Sequence, residues 1–286
     1  SLIHLLRTYG REVNDMHAMY EGGPEEYETQ VALWRAGLVL FEKDMVEHVL
    51  GTISARHTDK KTGKTWYVTK PQDKHYFRMN PEDFVSVDIN GTPLPQQRIF
   101  MPDGKEKKKM RPSLNWLVHK ASYEADPAIG AVVHAHIRSI VALASQSNER
   151  FTKCLNAFGN LAAFIPLVSE EAVWALNPVP DGEFVMAGLP IVEDCAPQGL
   201  AEYAKILIPQ GNAFAIRNHG IMTVGRDIEE ALGVALVLKK EAEIILDIFS
   251  SGGMPLFRGR DKILKSLEDM PPHFRWRSYN KPAFGE

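Results

Sequence analysis

"AVVHAHIRSIVALA", residues 131–144, sets two histidines one residue apart inside an otherwise apolar run. The opening "AVVHAHI" follows a helix that closes near Asp126 and Pro127 and reads as a buried strand, and in a strand residues i and i+2 leave the same face. His134 and His136 therefore stand side by side. Neutral imidazole suits Zn, Fe, Mn or Ni, but two such ligands make an incomplete site, so a third group must come from elsewhere in the chain. The candidate is His219 in "IRNHGIMTVG" (216–225), where a His-Gly pair falls at a tight turn between two apolar strands and Gly220 permits a close backbone approach. Hydrogen-bonded histidines of a half-buried sheet are the plainer reading, and they suit a lone His better than H-x-H joined to N-H-G. The pattern predicts one divalent transition metal per chain, Zn, Fe, Mn or Co, with open positions for a small-molecule substrate.

Composition narrows the class without naming it. With 286 residues, 44% hydrophobic and 24% charged, the chain has the make-up of an ordinary globular protein and can bury a sizeable core. A net charge of -3 gives no footprint for a nucleic-acid partner. Cys154 and Cys195 are too few and too far apart for a disulfide scaffold. No apolar run is long enough for a membrane span, and "SLIHLLRTYGREVND" turns charged too soon for a signal peptide. The expectation is a cytoplasmic protein with no membrane partner.

Outward from the histidines, the spacing of apolar residues predicts a helix over 25–43 with Leu33, Ala36, Leu40 and Phe41 on one face. "VLGTISARH", "YVTK" and "DFVSVDI" read as strands, the first two joined by the charged hairpin "TDKKTGKTW" and the last ending in the turn "NGTP". "MPDGKEKKKMRP" reads as a solvated loop. Ser113 opens a predicted helix that closes near Asp126 and Pro127. The block from Ala196 to Phe249 reads as helix, strand, turn, strand and a long helix from Ile228, and the residues after it show no clear period. A single α/β domain with a predominantly antiparallel sheet flanked by helices accommodates these elements.

In this order "GTISAR" (51–56), "RPSLNWLVHKASY" (111–123), "AVVHAHIRSIVALA" and "NHGIMTVGRDIEEAL" (218–232) resemble the class II aldolase/adducin superfamily. That group includes fuculose-phosphate aldolase, ribulose-phosphate epimerase, several decarboxylases and the adducin head domain. The resemblance implies a three-layer αβα domain over 26–250, with an N-terminal extension at 1–25 and a C-terminal tail at 251–286 that packs on its own or a neighbouring subunit. It also implies a metal held by His134, His136 and His219, and a homo-oligomer, a tetramer by preference, with active sites between subunits.

The departures from the family pattern shape the functional expectation. Where its aldolases carry P-S-S-E, with a glutamate that contacts the metal and works as acid and base, this chain has Pro112, Ser113, Leu114 and Asn115. An amide cannot exchange a proton near neutrality, so Asn115 is left to bind substrate, to orient a metal-bound water or O2, or to cap and pack. His119, one helical turn on, is a fourth ligand, a support for a ligand, the missing acid/base or a plain surface histidine. The resemblance also marks Tyr279 in the tail as a candidate proton donor. The phosphate cradle is altered too: Gly51-Thr52-Ile53-Ser54, Thr69-Lys70-Pro71-Gln72 and a single Ser113 stand where phosphorylated-sugar members have G-N-x-S, T-P-S-G and paired serines. Thr52 and Ser54 remain as hydrogen-bond donors.

The expectation is a non-phosphorylated acid, its carboxylate held by Arg56, Lys70 or Arg111. Trp66, Tyr67, Tyr76, Phe77, Phe274, Trp276 and Tyr279 hint at an aromatic one. Three classes of function follow. The first is a metal-dependent lyase acting by decarboxylation or retro-aldol cleavage, and decarboxylation tolerates Asn115 better because it needs no base to begin. The second is a non-heme iron oxygenase, as in the aminocoumarin-antibiotic branch that the chain resembles. The third is a non-catalytic, adducin-like interaction module.

Overall fold

The computed structural model describes residues 24–94, 111–146, 161–180, 188–193 and 196–275. Its first element is helix α1 (Pro24–Glu42), which begins with Pro24 and has Glu25 and Glu26 in the first turn, where a fixed φ and negative charge both favour helix initiation. Leu33, Ala36 and Leu40 are buried as their spacing predicts, but Phe41 is 42% exposed and does not belong to the core face.

Among the described residues eight strands form one sheet: β1 (Thr52–Thr58), β2 (Thr65–Thr69), β3 (Val85–Val87), β4 (Ala131–Ala135), β5 (Leu161–Ile165), β6 (Leu189–Val192), β7 (Ala213–Ile216) and β8 (Gly220–Gly225). The spatial order is β3-β2-β1-β4-β8-β7-β6-β5. Only the β6–β7 pair is parallel. The remaining helices are α2 (Trp116–Ala125), α3 (Arg138–Ala144), α4 (Glu170–Leu176), α5 (Pro197–Leu207), α6 (Ile228–Ser250) and α7 (Arg260–Glu268). Helices α1, α3 and α6 cover one face of the sheet, with α4 against α6 and α7 against α4; α2 packs on the other face beside α5. The expected αβα layering and mostly antiparallel sheet are therefore present.

Strand alternation assigns the side chains to layers. Ile53 and Ala55 of β1 and Val133 of β4 belong to the apolar side under α1 and α6, whereas Thr52, Ser54 and Arg56 of β1 and His134 of β4 face α2. The α1 and α6 side is mostly apolar, with buried polar pairs such as Ser86–Glu26 and Thr223–Ala231 O, and the α2 side carries the polar groups around His134 and Ser54.

One expectation is corrected here, and elements that the sequence did not reveal come into view. Helix α2 starts at Trp116 with Asn115 at the cap position, so Ser113 lies in a preceding turn and does not open the helix. The tail contains α7, docked on its own chain through Trp174 Nε1, which donates to Ser266 O at 2.9 Å. Short α3, embedded in the quoted apolar run, and β5, α4 and β6 were not legible either, because runs of four to seven residues offer too few repeats for a period to emerge. Among the described residues no helix is long and apolar enough to cross a membrane.

Candidate metal centre

Strand register brings the first histidine to the middle of the sheet. Thr52 of β1 lies opposite His134, which lies opposite Met222 of β8. Strand β4 ends at Ala135, and the His136 N–H leaves the ladder to donate to Met45 O at 2.8 Å. The third histidine comes from the β7–β8 turn, where Asn218 takes a left-handed conformation at φ +57° and His219 N donates to Ile216 O at 3.1 Å. A Cβ at Gly220 would stand 2.2 Å from Ala135 O, so the turn approaches the end of β4 only because this residue is glycine.

The three rings converge. Each pair of ring centroids among His134, His136 and His219 is 5.0 Å apart, and one ligand nitrogen from each lies within 4.8 Å of the others. His134 is buried and the other two are half-buried, so the cluster has a closed side and an open one. His134 Nδ1 lies 3.1 Å from Ile221 O and must donate, since a carbonyl only accepts. His136 Nδ1 lies 3.3 Å from Glu47 Oε2 and donates to that carboxylate. Both Nε2 atoms then present lone pairs to each other at 3.2 Å.

Two acceptors at that distance repel unless a cation lies between them. Tetrahedral zinc with Zn–N bonds of about 2.0–2.1 Å sets its nitrogens about 3.3 Å apart, so the donor set fits a divalent metal. Burial holds the His134 ring well below the ordinary imidazole pKa, and the neighbouring His136 and His219 add to the effect. Burial and His219 lower His136 likewise, against the opposing pull of Glu47. Neutral rings are the ligating form.

A second polar cluster lies one pleat away on the same face. Ser54 Oγ meets His119 Nδ1 at 2.7 Å and Tyr123 Oη at 2.8 Å. His119 is fully buried, which overturns the surface reading, and burial pushes its pKa down to about 3. It lies outside the histidine cluster, and its Nε2 is buried without a partner. Arg56 donates to Pro127 O at 2.6 Å and Tyr123 O at 3.1 Å, with its guanidinium over the Tyr67 and Tyr123 rings. Lys70 is 1% exposed and donates to Val49 O at 2.8 Å and Pro71 O at 3.1 Å. Burial lowers its pKa to about 8, opposed by Asp73. Both cations are engaged by main-chain carbonyls, whereas Arg111 is exposed.

The remaining candidates distribute unevenly. Thr52 Oγ1 donates to Ser113 Oγ at 2.7 Å, and Asn115 N donates to the same hydroxyl at 3.3 Å, so these three residues adjoin the His134 position. The altered phosphate segment has few free donors: Lys70 N bonds Ile53 O and Gln72 N bonds Arg111 O, both at 3.0 Å. Tyr67 and Tyr76 are core residues and Phe274 stacks on Trp174, whereas Phe77 is 50% exposed. Tyr279 and Trp276 lie outside the described residues. Glu47 was missed: it is 89 positions from His136 in a charged loop, with no spacing signal to connect them.

Residues 31–246 match the family model described as Class II Aldolase and Adducin N-terminal domain. The chain is 26% identical to L-ribulose-5-phosphate 4-epimerase UlaF of Salmonella paratyphi B over 91% of its own length and 96% of that protein. It is 25% identical to the 5-methylthioribulose-1-phosphate/5-deoxyribulose-1-phosphate aldolase of Escherichia coli, covering 71% and 74% of the two chains. With L-fuculose phosphate aldolase of Haemophilus influenzae it shares 24% identity over the same fractions. Among solved structures, an L-fuculose 1-phosphate aldolase superposes with a TM-score of 0.61 at 20% identity, covering 85% of this chain and 95% of that one. An aldolase II superfamily protein from Pseudomonas syringae reaches 0.65 at 18% identity, covering 88% and 89%.

Proposed function

The chain belongs to the class II aldolase and adducin family, and on that premise we propose that it is a metal-dependent enzyme of the lyase type. The observation that carries this reading is the pair of imidazole lone pairs facing each other at 3.2 Å, with His219 beside them. A divalent ion in this cluster, zinc among those whose spacing fits, would supply Lewis-acid polarisation of substrate oxygens and stabilisation of developing negative charge. His134, His136 and His219 hold it, and the half-exposed side of the cluster admits substrate.

The finer reading is cleavage of a carbon–carbon bond in a non-phosphorylated hydroxy or oxo acid. The named relatives act on phosphorylated sugars, but here the main-chain donors of residues 70 and 72 are occupied by carbonyls, so little remains to cradle a dianion. Arg56 and Lys70 are likewise occupied, which leaves Thr52, Ser113 and Asn115 as the polar groups nearest His134 and Arg111 as the exposed cation. Asn115 cannot shuttle a proton, and this favours decarboxylation over retro-aldol cleavage. We assign catalysis to residues 26–250, and take the protein as a cytoplasmic homotetramer; light scattering at four times 32.1 kDa tests the assembly.

The deciding experiment counts metals per chain after aerobic and anaerobic purification, then offers the zinc-, manganese- and iron-loaded protein two substrate panels. Turnover of hydroxy or oxo acids without O2, and none of pentulose or deoxyhexulose phosphates, is expected. Turnover confined to the phosphates, with competition by inorganic phosphate, overturns the substrate reading. Iron with O2 consumption replaces the lyase by an oxygenase, and a metal-free protein at saturating zinc returns the chain to a binding role.

A further inference from the structure

The loop of residues 43–51 between α1 and β1 is built against local preference. Asp44 and His48 both hold left-handed backbone, at φ +54° and +52°, and Gly51 does so at +76°. Non-glycine residues enter that region rarely and stay there when surrounding contacts require it.

Those contacts are on three sides. Met45 O accepts from the His136 N–H, tying the loop to the strand end that carries a ligand. Val49 O accepts from Lys70, whose ammonium is buried over the Tyr76 ring at 5.0 Å from its centroid. A Cβ at Gly51 would stand 2.5 Å from Val46 Cγ1 and 3.1 Å from His134 O, so the loop also closes directly on β4 at His134 itself. Burying an ammonium is costly, and this one is satisfied by Val49 O of the loop together with Pro71 O beside it, which makes Lys70 a clamp on the loop.

What the loop delivers is Glu47. Its side chain is 58% exposed, so packing does not choose its rotamer, yet its carboxylate lies 3.3 Å from His136 Nδ1. We infer that Glu47 is a positioning residue of the metal centre, fixing the His136 tautomer so that Nε2 faces the ion, and that Lys70 holds the loop in the conformation that makes this contact. The inference rests on the metal-centre reading above. It gives His136 an anionic support where His134 has the neutral carbonyl of Ile221.

The test is zinc affinity by chelator competition for the full chain and for Glu47→Gln, Glu47→Ala and Lys70→Met, with cobalt(II) spectra and melting of the metal-free proteins alongside. Glu47→Ala is expected to weaken zinc binding about 10–100-fold and to shift the cobalt bands, with the metal-free melting temperature unchanged. Glu47→Gln recovers part of the affinity, because the amide oxygen still accepts from Nδ1–H. Lys70→Met weakens zinc binding, and joined to Glu47→Ala it adds nothing further; should Lys70→Met fail to fold, the two Glu47 variants decide. Parental zinc affinity in Glu47→Ala, with one zinc per chain in the parent, overturns the inference alone. A parent that binds zinc no better than a His134→Ala, His136→Ala control overturns the metal reading and the inference together.

Discussion

Thr52 and Ser54 leave one strand toward the same face of the sheet, yet they serve clusters of opposite character. Thr52 stands opposite His134, in a cluster with a half-exposed side and two imidazole lone pairs facing each other. Ser54 bonds His119 and Tyr123 in a buried seam beside Arg56, where His119 Nε2 and Arg56 Nε are shut away from solvent without partners. Both clusters hold a histidine, a hydroxyl and an apolar wall, so residue type does not separate them. What separates them is access: a buried polar group, complete or not, cannot meet a ligand from solvent, and one that is both incomplete and reachable can.

The difference can be broken from either side, beginning with the largest effect. Replacing His134 and His136 together by alanine removes two of three ligands, and zinc affinity should fall by about a thousandfold or more in chelator competition. If affinity holds, the open cluster is not the metal site. Arg56→Met is expected to do the reverse: it removes charged hydrogen bonds and the stacking on two tyrosines, costing about 1–3 kcal/mol in denaturant unfolding while zinc affinity stays at the parental value. A loss of substrate affinity at full stability would instead restore Arg56 to the site.

The seam also has a pH signature. His119 keeps a folded pKa of about 3 through burial, so below the unfolded value of about 6.5 only the unfolded chain takes up the proton. Stability is present above that unfolded value and is lost as pH falls toward the folded one, by about 1.4 kcal/mol per pH unit from this group. In metal-free protein, His119→Gln should flatten the fall between pH 6.5 and 5 relative to the parent. An unchanged slope would mean that the ring is solvated. The smallest effect sharpens the border: Thr52→Val removes one buried hydrogen bond to Ser113, about 0.5–1.5 kcal/mol. A fall in kcat/KM beyond that stability loss assigns Thr52 to the open cluster.

The same distinction explains what could be read in advance. His134, His136, His219 and Gly220 were legible because a two-residue spacing and a His-Gly turn are local patterns with geometric consequences. Leu33, Ala36 and Leu40, and the long helix from Ile228, were legible by period. The fate of Ser54, Arg56 and Lys70 was not, since their partners lie at Tyr123, Pro127 and Val49, and sequence carries no mark of which long-range acceptor a cation will meet. Glu47 was hidden for the same reason. Ser113 has the composition of a helix cap, but the turn that begins there postpones the helix to Trp116.

The β4–β8 pairing joins residues such as His134 and Ile221 that are 87 positions apart. A chain still being synthesised therefore carries two of the histidines long before the third, and the coordination sphere cannot assemble until these distant strands zip together. A slip of one residue in that ladder would turn His134 toward the opposite layer. On the proposed metal reading, zinc uptake during refolding would time the slow, non-local step of folding and proofread strand register.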